Sequence, residues 1–127
     1  MQSADLPWNA YATQCPTRLV LDRIADKWAV LVLGLLADRP VRFNQLRRQI
    51  EGISQKMLSQ TLKALERDGL VARKAIATVP VTVEYSITPL GLTLAGTLEQ
   101  LQAWARENIG AIEAAQRGYD ESRARGG

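Results

Sequence analysis

Apolar residues recur at helical spacing over residues 53–70, between a start signal and a stop signal. Leu58, Leu62 and Leu65 stand at i, i+4 and i+7 and form one apolar stripe. Ser54 is a preferred N-cap residue, and Gly69 suits the left-handed position just past a helix end. The pattern predicts a capped amphipathic helix. Its other face offers amide, hydroxyl and cationic groups, which is typical of a solvated helix or of one that contacts nucleic acid.

Three helices are expected before this one. The first begins at Cys15-Pro16, because proline is tolerated at the first helical position. Asp26 can cap the second helix, which is apolar on nearly all sides and is therefore expected to be the central buried one. The third, over residues 43–50, joins the helix at 53–70 through a tight turn that contains Gly52. The first helix is expected to bury Leu19, Val20 and Ile24.

Beyond Gly69 the apolar period changes from helical to alternating. Residues 70–76 and 81–87 read as two strands, with a loop of residues 77–80 between them. Two short helices joined by a turn and followed by a hairpin predict a winged helix-turn-helix. The fold class expected is thus mainly α with a small β-hairpin, and the wing would be the loop around Val79-Pro80.

Thr88-Pro89 signals the start of a long helix that is expected to reach about Gln116. Its apolar stripe is too long for one small domain to cover, so we expect it to pack partly on a second copy of the chain. The alternative is a helix folded back on its own core. The expected organisation is an N-terminal arm (1–14), a winged helix-turn-helix and dimerisation domain (15–117) and a frayed tail (118–127).

The charge of the chain is concentrated around the helix at 53–70. Residues 42–74 contain eight basic and three acidic side chains, a net charge of +5, whereas the rest of the +3 chain sums to −2. A local basic surface of this kind favours a polyanionic partner. Together with the helix-turn-helix pattern, it indicates double-stranded DNA.

Composition argues against several other classes of protein. The chain has no histidine and one cysteine, Cys15, so it can form no internal disulfide and no zinc site of these ligands. No cofactor or metal is expected. An enzyme that uses the lone thiol would lack a histidine base, a Gly-rich phosphate loop and a suggestive acid pair. No apolar run is long enough to span a bilayer, and the N-terminus lacks signal-peptide features, so a cytoplasmic protein is expected.

An ordered set of short motifs runs through the chain: Cys15-Pro16, DKW at 26–28, RFNQLRR at 42–48, GISQKML at 52–58, LERDGLV at 65–71 and VEYSITPLG at 83–91. Over residues 15–104 this set resembles the HxlR family of winged helix-turn-helix transcriptional regulators, which is related to the MarR-type regulators. No single motif is specific, but the ordered set is. The resemblance implies a homodimer, with N- and C-terminal helices at its interface, that binds a two-fold symmetric operator, often as a repressor.

The second helix of a helix-turn-helix enters the major groove, where its first residues meet base edges. Arg42, Arg47, Arg48 and Lys63 are expected on phosphates. Arg73 and Lys74 are also expected to contact phosphates, from the strand that leads to a wing without any cation. The full set of expected DNA contacts is Arg42, Arg47, Arg48, Ser54, Gln55, Lys56, Ser59, Gln60, Lys63, Arg73 and Lys74.

Cys15 is the candidate for regulatory chemistry. It lies just before a helix and Arg18 follows within a turn, and both features favour the thiolate form. Some members of the resembling family use a cysteine at this place to sense quinones, hypochlorite or other oxidants. A cysteine that only packs near the dimer interface is the alternative. A winged-helix protein–protein interaction module without DNA binding is the alternative function, although it would not need the +5 segment.

Overall fold

The computed structural model of the protein describes residues 16–126. The chain forms two compact units, whose described parts are residues 16–95 and residues 96–126. The elements are α1 (Pro16–Ala25), α2 (Lys27–Leu36), β1 (Val41–Arg42), α3 (Phe43–Gln49), α4 (Gln55–Arg67), β2 (Val71–Ile76), β3 (Thr82–Ile87) and α5 (Pro89–Gly126). The structure confirms a mainly helical winged helix-turn-helix with a small antiparallel sheet.

Helix α2 lies at the centre of the core of residues 16–95, as its apolar sequence predicts. It packs against α1, α4 and β3. Asp26 caps it, since its carboxylate accepts hydrogen bonds from the backbone N–H groups of Trp28 and Ala29 at 3.0 and 3.3 Å. Its burial is not complete, because Leu31 is exposed. Among the side chains that the structure describes, the large fully buried ones are Val32, Leu33, Leu36, Leu46, Leu58, Leu62 and Leu65.

Helix α4 has the start and the stop that its sequence predicts. The Ser54 hydroxyl accepts a hydrogen bond from the Met57 backbone N–H at 3.0 Å. At the other end Gly69 has a φ of +77°, its N–H donates to the Glu66 carbonyl, and the Leu70 N–H donates to the Leu65 carbonyl. This pair of bonds is a Schellman motif, which a residue other than glycine would strain. The helix is therefore fixed at both ends.

The sheet has three antiparallel strands in the order β1-β3-β2. The hairpin of β2 and β3 confirms the two predicted strands, with Arg73 opposite Tyr85 and Lys74 opposite Glu84. No pattern in the sequence predicted β1, whose two residues pair with the middle of β3. Two residues are too few to show a periodic pattern, so only the contact with β3 defines this strand.

Hydrogen bonds of Thr88 join the start of α5 to the turn that follows α4. The Thr88 hydroxyl accepts from the Gly91 N–H at 3.0 Å and donates to the Gly69 carbonyl at 2.6 Å. A Cβ placed on Gly91 would lie 2.1 Å from the Leu70 carbonyl oxygen. Only glycine allows the helix to approach this turn so closely.

Two expectations about helices are wrong. Helix α5 does not end near Gln116 but continues to Gly126, so residues 118–126, which were expected to fray, are helical. A single glycine at position 118 is tolerated at a cost of about 1 kcal/mol, and the pairing of Arg125 with Glu121 one turn apart favours the helix. In α1, Val20 is exposed rather than buried, whereas Ile24 is half-buried.

Candidate nucleic-acid interface

The outer face of α4 presents a stripe of long polar side chains. Lys56, Gln60, Lys63 and Arg67 stand at i, i+4, i+7 and i+11, which places them on one face of the helix. All four are exposed, whereas the apolar stripe on the opposite face is buried. This arrangement leaves amide and cationic groups free to approach a ligand along three turns of the helix.

Gln55, Ser54 and Ser59 flank this stripe at the N-terminal half of α4. Gln55 and Ser54 are exposed, and Ser59 is half-buried. The Ser54 oxygen is engaged in capping the helix, but a hydroxyl can donate its own proton while it accepts another. Its position at the helix start leaves that proton available to a phosphate or a base.

A groove of about 850 Å³ opens beside α4. We call it the wing groove. It is lined by Pro40, Arg42, Phe43, Asn44, Gln45, Arg48, Ser59, Lys63, Arg73 and residues 80–85. Its walls thus come from α3, α4 and the sheet, which brings together residues that lie up to 45 positions apart in the sequence.

The wing groove is strongly cationic. Arg42, Arg48, Lys63 and Arg73 line it, and Glu84 is the acid among its lining residues. Four cations against one carboxylate in a concave surface raise the local concentration of an anionic ligand. Ser59 and Lys63 belong both to this groove and to α4, so the groove continues into the polar face of the helix.

Not every expected contact residue lies in the groove. Arg47 is exposed next to Arg48 in α3 but does not line it. Lys74 lies opposite Glu84 in the sheet, and Arg42 lies opposite Glu84 on its other side. Residues directly opposite in a sheet share one face, so the Glu84 carboxylate sits in a row with both cations. Of these two cations Arg42 lines the wing groove and Lys74 does not.

Arg67 is a candidate contact outside the set of residues expected from the sequence. It lies in the last turn of α4, on the same exposed stripe as Lys56 and Lys63. The spacing of four residues from Lys63 was the signal that could have found it. Asn44 and Gln45, at the start of α3, are a second omission, since both line the wing groove.

Cys15 lies outside the described residues, so the expected thiol site has no structural counterpart here. Within residues 16–126 there is no group of three or more Asp, Glu, His or Cys side chains placed to hold a metal ion. In the same part of the chain, no helix combines the length and the hydropathy that a membrane span needs.

Sequence comparison agrees with the geometry. The model of the HxlR-like helix-turn-helix family matches residues 23–113. The chain is 46% identical over 101 residues to the HTH-type transcriptional regulator YtfH of Escherichia coli, an alignment that covers 80% of each chain.

Solved structures show the same fold. The transcriptional regulator ytfH from Salmonella typhimurium superposes with a TM-score of 0.80 at 42% identity, covering 86% of this chain and 97% of that one. The redox regulator HypR in its reduced form superposes with a TM-score of 0.72 at 37% identity, covering 78% of this chain and 98% of that one. Both likenesses extend over nearly the whole of the related chains.

Proposed function

The chain belongs to the HxlR-like helix-turn-helix family of transcriptional regulators, and we propose that it binds a two-fold symmetric DNA operator as a homodimer. The observation that carries this proposal is the junction of two surfaces. The cationic wing groove and the polar stripe of α4 meet at Ser59 and Lys63. A DNA strand held by its phosphates in the groove would thus keep α4 against the adjacent major groove.

We assign base contacts to the N-terminal half of α4. Glutamine can bond adenine through both its amide atoms, and lysine can donate to guanine. Gln55, Lys56 and Gln60 have side chains long enough to reach base edges, and Ser54 and Ser59 can bond a base or a nearby phosphate. The proposed phosphate contacts are Arg42, Arg47, Arg48, Lys63, Arg67, Arg73 and Lys74.

The proposed dimer rests on the apolar side chains that residues 96–126 leave uncovered. Leu101, Trp104, Ile109, Ile112 and Tyr119 are exposed along this part of α5. A monomer rarely leaves so many large apolar groups on one helix in water, whereas a dimer interface would bury them. Two copies related by a two-fold axis would address half-sites about 34 Å apart, one helical turn of DNA.

The proposed regulation is repression that is relieved by oxidation of Cys15. Its support is the place of the cysteine in the sequence, directly before α1, together with the likeness to the redox regulator HypR. Oxidants, quinones and other electrophiles are the proposed effectors. The expected location remains the cytoplasm, where operator DNA lies, and no catalytic activity is part of the proposal.

Selection of bound duplexes from a random pool, with and without diamide, is the experiment that tests this function. We expect a two-fold symmetric site, and we expect diamide to weaken binding in the parent but not in Cys15→Ser. If no sequence is enriched, specific DNA binding is wrong and the protein–protein module becomes the better interpretation. An equal response of parent and Cys15→Ser would remove the thiol switch alone.

Two substitutions separate specificity from affinity. Gln55→Ala should relax the preference at one base position, whereas Arg48→Ala should weaken all sequences alike and reduce the salt slope by about 0.9 for one lost phosphate contact. Arg106→Ala is the matched control, since Arg106 is an exposed arginine of α5 outside the groove. If both variants bound the operator like the parent, the assigned interface would be wrong.

A further inference from the structure

The tip of the hairpin is apolar and fully presented to solvent. We call residues 78–81 the wing tip. Val79 has a relative exposure of 103% and Val81 of 66%, and no charged residue occurs from Ala75 to Val83. Tight loops favour Gly, Pro, Asn, Asp and Ser, which suit the backbone angles of a turn or bond its backbone, and neither Val79 nor Val81 is of these types. An uncovered valine at the outermost position is therefore a feature that the fold of the hairpin does not require.

The polar side chains at the end of the hairpin make hydrogen bonds within the loop. The Thr78 hydroxyl donates to the Pro80 carbonyl at 2.7 Å and lies 3.2 Å from the Thr82 hydroxyl oxygen. The Thr78 N–H donates to the Ile76 carbonyl at 2.8 Å. These bonds fix the loop in one conformation, so less conformational entropy is lost when Val79 meets a partner.

The wing tip is continuous with the wing groove. Pro80, Val81 and Thr82 line that groove together with Arg48, Lys63 and Arg73. A phosphate backbone that is held by the three cations would run directly past the wing tip. Beside that phosphate backbone, on the side of the wing tip, lies a groove of the same duplex. Because the neighbouring wing groove is cationic, we assign DNA as the partner of the wing tip.

We propose that the wing tip packs Val79 into the minor groove of the operator and makes an apolar contact whose strength does not depend on salt. This inference rests on the proposed function and adds a second element of recognition to it. Deoxyribose C–H groups wall the minor groove, and apolar side chains are known to enter it. A cationic wing gains from the negative potential of a narrow groove. A valine side chain gains nothing from that potential, so its contact depends on how much room the minor groove leaves for it.

Space in the minor groove depends on the base pair. The 2-amino group of guanine projects into the minor groove of G·C pairs, whereas A·T pairs present acceptors alone. Val79 cannot bond this amino group and would be obstructed by it. The wing tip should therefore select positions without a minor-groove amino group, in addition to the bases that α4 contacts in the major groove.

The test uses the duplex recovered from the random pool, with each A·T pair replaced in turn by 2,6-diaminopurine·T. This replacement adds the 2-amino group in the minor groove and keeps the major-groove edge of adenine. We expect about a tenfold loss of affinity of the parent at the wing positions, as for one mismatched base pair. Val79→Ser should bind the unmodified duplex about three- to tenfold more weakly, with an unchanged salt slope, and should lose the sensitivity to diaminopurine.

Two variants serve as controls in the same titration against potassium chloride. Arg48→Ala should lower the salt slope by about 0.9 and keep the sensitivity to diaminopurine. Val79→Lys should instead raise the slope by about 0.9, because it adds a cation at the same place. Circular dichroism checks that each variant keeps the helical content of the parent.

The outcomes separate this inference from the proposed function. If the parent tolerates diaminopurine at every position, or if Val79→Ser shows the same sensitivity as the parent, the apolar contact is wrong. In that case the effect of Arg48→Ala would still support DNA binding by the groove. If the parent enriches no duplex from the pool, the proposed function fails and the wing contact fails with it.

Discussion

The burial of large apolar side chains differs between residues 16–95 and residues 96–126. In the first unit, leucines and valines of α2, α3, α4 and β2 are buried in one core. In the second unit Leu98 is buried, but the large apolar side chains beyond it are exposed, with Trp104 at 57% relative exposure. Apolar residues at helical spacing are present in both units, so the spacing alone does not determine burial.

The difference shows what each unit needs for stability. Several elements of the first unit surround its apolar groups, and each fully buried leucine contributes about 1.5–3 kcal/mol relative to an exposed one. A single helix has no second layer of its own. The proposed dimer would supply that layer, because two copies of the same exposed stripe can cover each other.

The largest expected difference between the units comes from truncation of a leucine. Leu62 is 1% exposed in α4, so Leu62→Ala should lower the free energy of unfolding by about 2–5 kcal/mol, through lost transfer energy and a cavity. Leu101→Ala, at a half-exposed position, should change it by about 0.5 kcal/mol in dilute protein. Urea titration followed by circular dichroism measures both, and equal losses would mean that the two positions have equal burial.

A pair of glycines in α5 sharpens the same contrast. Gly91→Ala should destabilise the fold by about 3 kcal/mol, because the new Cβ would meet the Leu70 carbonyl and Ile87. Gly96→Ala has nothing within 4 Å and should stabilise the helix by about 0.5–1 kcal/mol. Thermal melts of the two variants compare them directly. A lowered melting temperature for Gly96→Ala would show that its surroundings are not open.

Trp104→Ala tests the exposed surface of the second unit. If a second copy covers Trp104, the dimer dissociation constant should rise about thirtyfold, which corresponds to about 2 kcal/mol. Sedimentation equilibrium at several protein concentrations measures it, with Arg106→Ala as the control. A dissociation constant equal to the parent's would place the dimer interface elsewhere.

Ion pairs should give the smallest effect. Arg23 bonds Asp68, a carboxylate at the C-terminal cap of α4, where the helix dipole disfavours negative charge. Arg23→Ala should therefore lower the free energy of unfolding by about 0.5–1 kcal/mol, and by a smaller amount at high salt. Arg125 and Glu121 are 80% and 66% exposed, so Arg125→Ala should leave the unfolding curve unchanged. A salt-independent loss in Arg23→Ala would point to packing rather than charge.

Local signals in the sequence predicted the helix ends well where a capping residue was present. Asp26, Ser54, Gly69 and Thr88 all make the bonds that their residue types favour. These bonds join residues within a few positions of each other, so the information lies in the local sequence. The end of α5 had no such signal, and the prediction that it stops near Gln116 was wrong.

Burial in α1 and the strand β1 could not be predicted from local pattern. Val20 has the same apolar character as the core valines, yet it is exposed in the described chain. Val41 is buried because β1 pairs with β3, with Val41 opposite Tyr85, more than forty positions later in the sequence. Contacts of that range depend on how the elements are arranged, which neighbouring residues do not determine.

By itself the sequence determined the order of the helices, the capped helix α4 with its polar face, the hairpin and the basic character of residues 42–74. The tertiary structure alone decided which of those cations act together. Arg42, Arg48, Lys63 and Arg73 meet in one groove, whereas Arg47 and Lys74 lie outside its lining. The reason is that helix periodicity and capping are local properties of the chain, whereas a groove forms only where α3, α4 and the sheet come together.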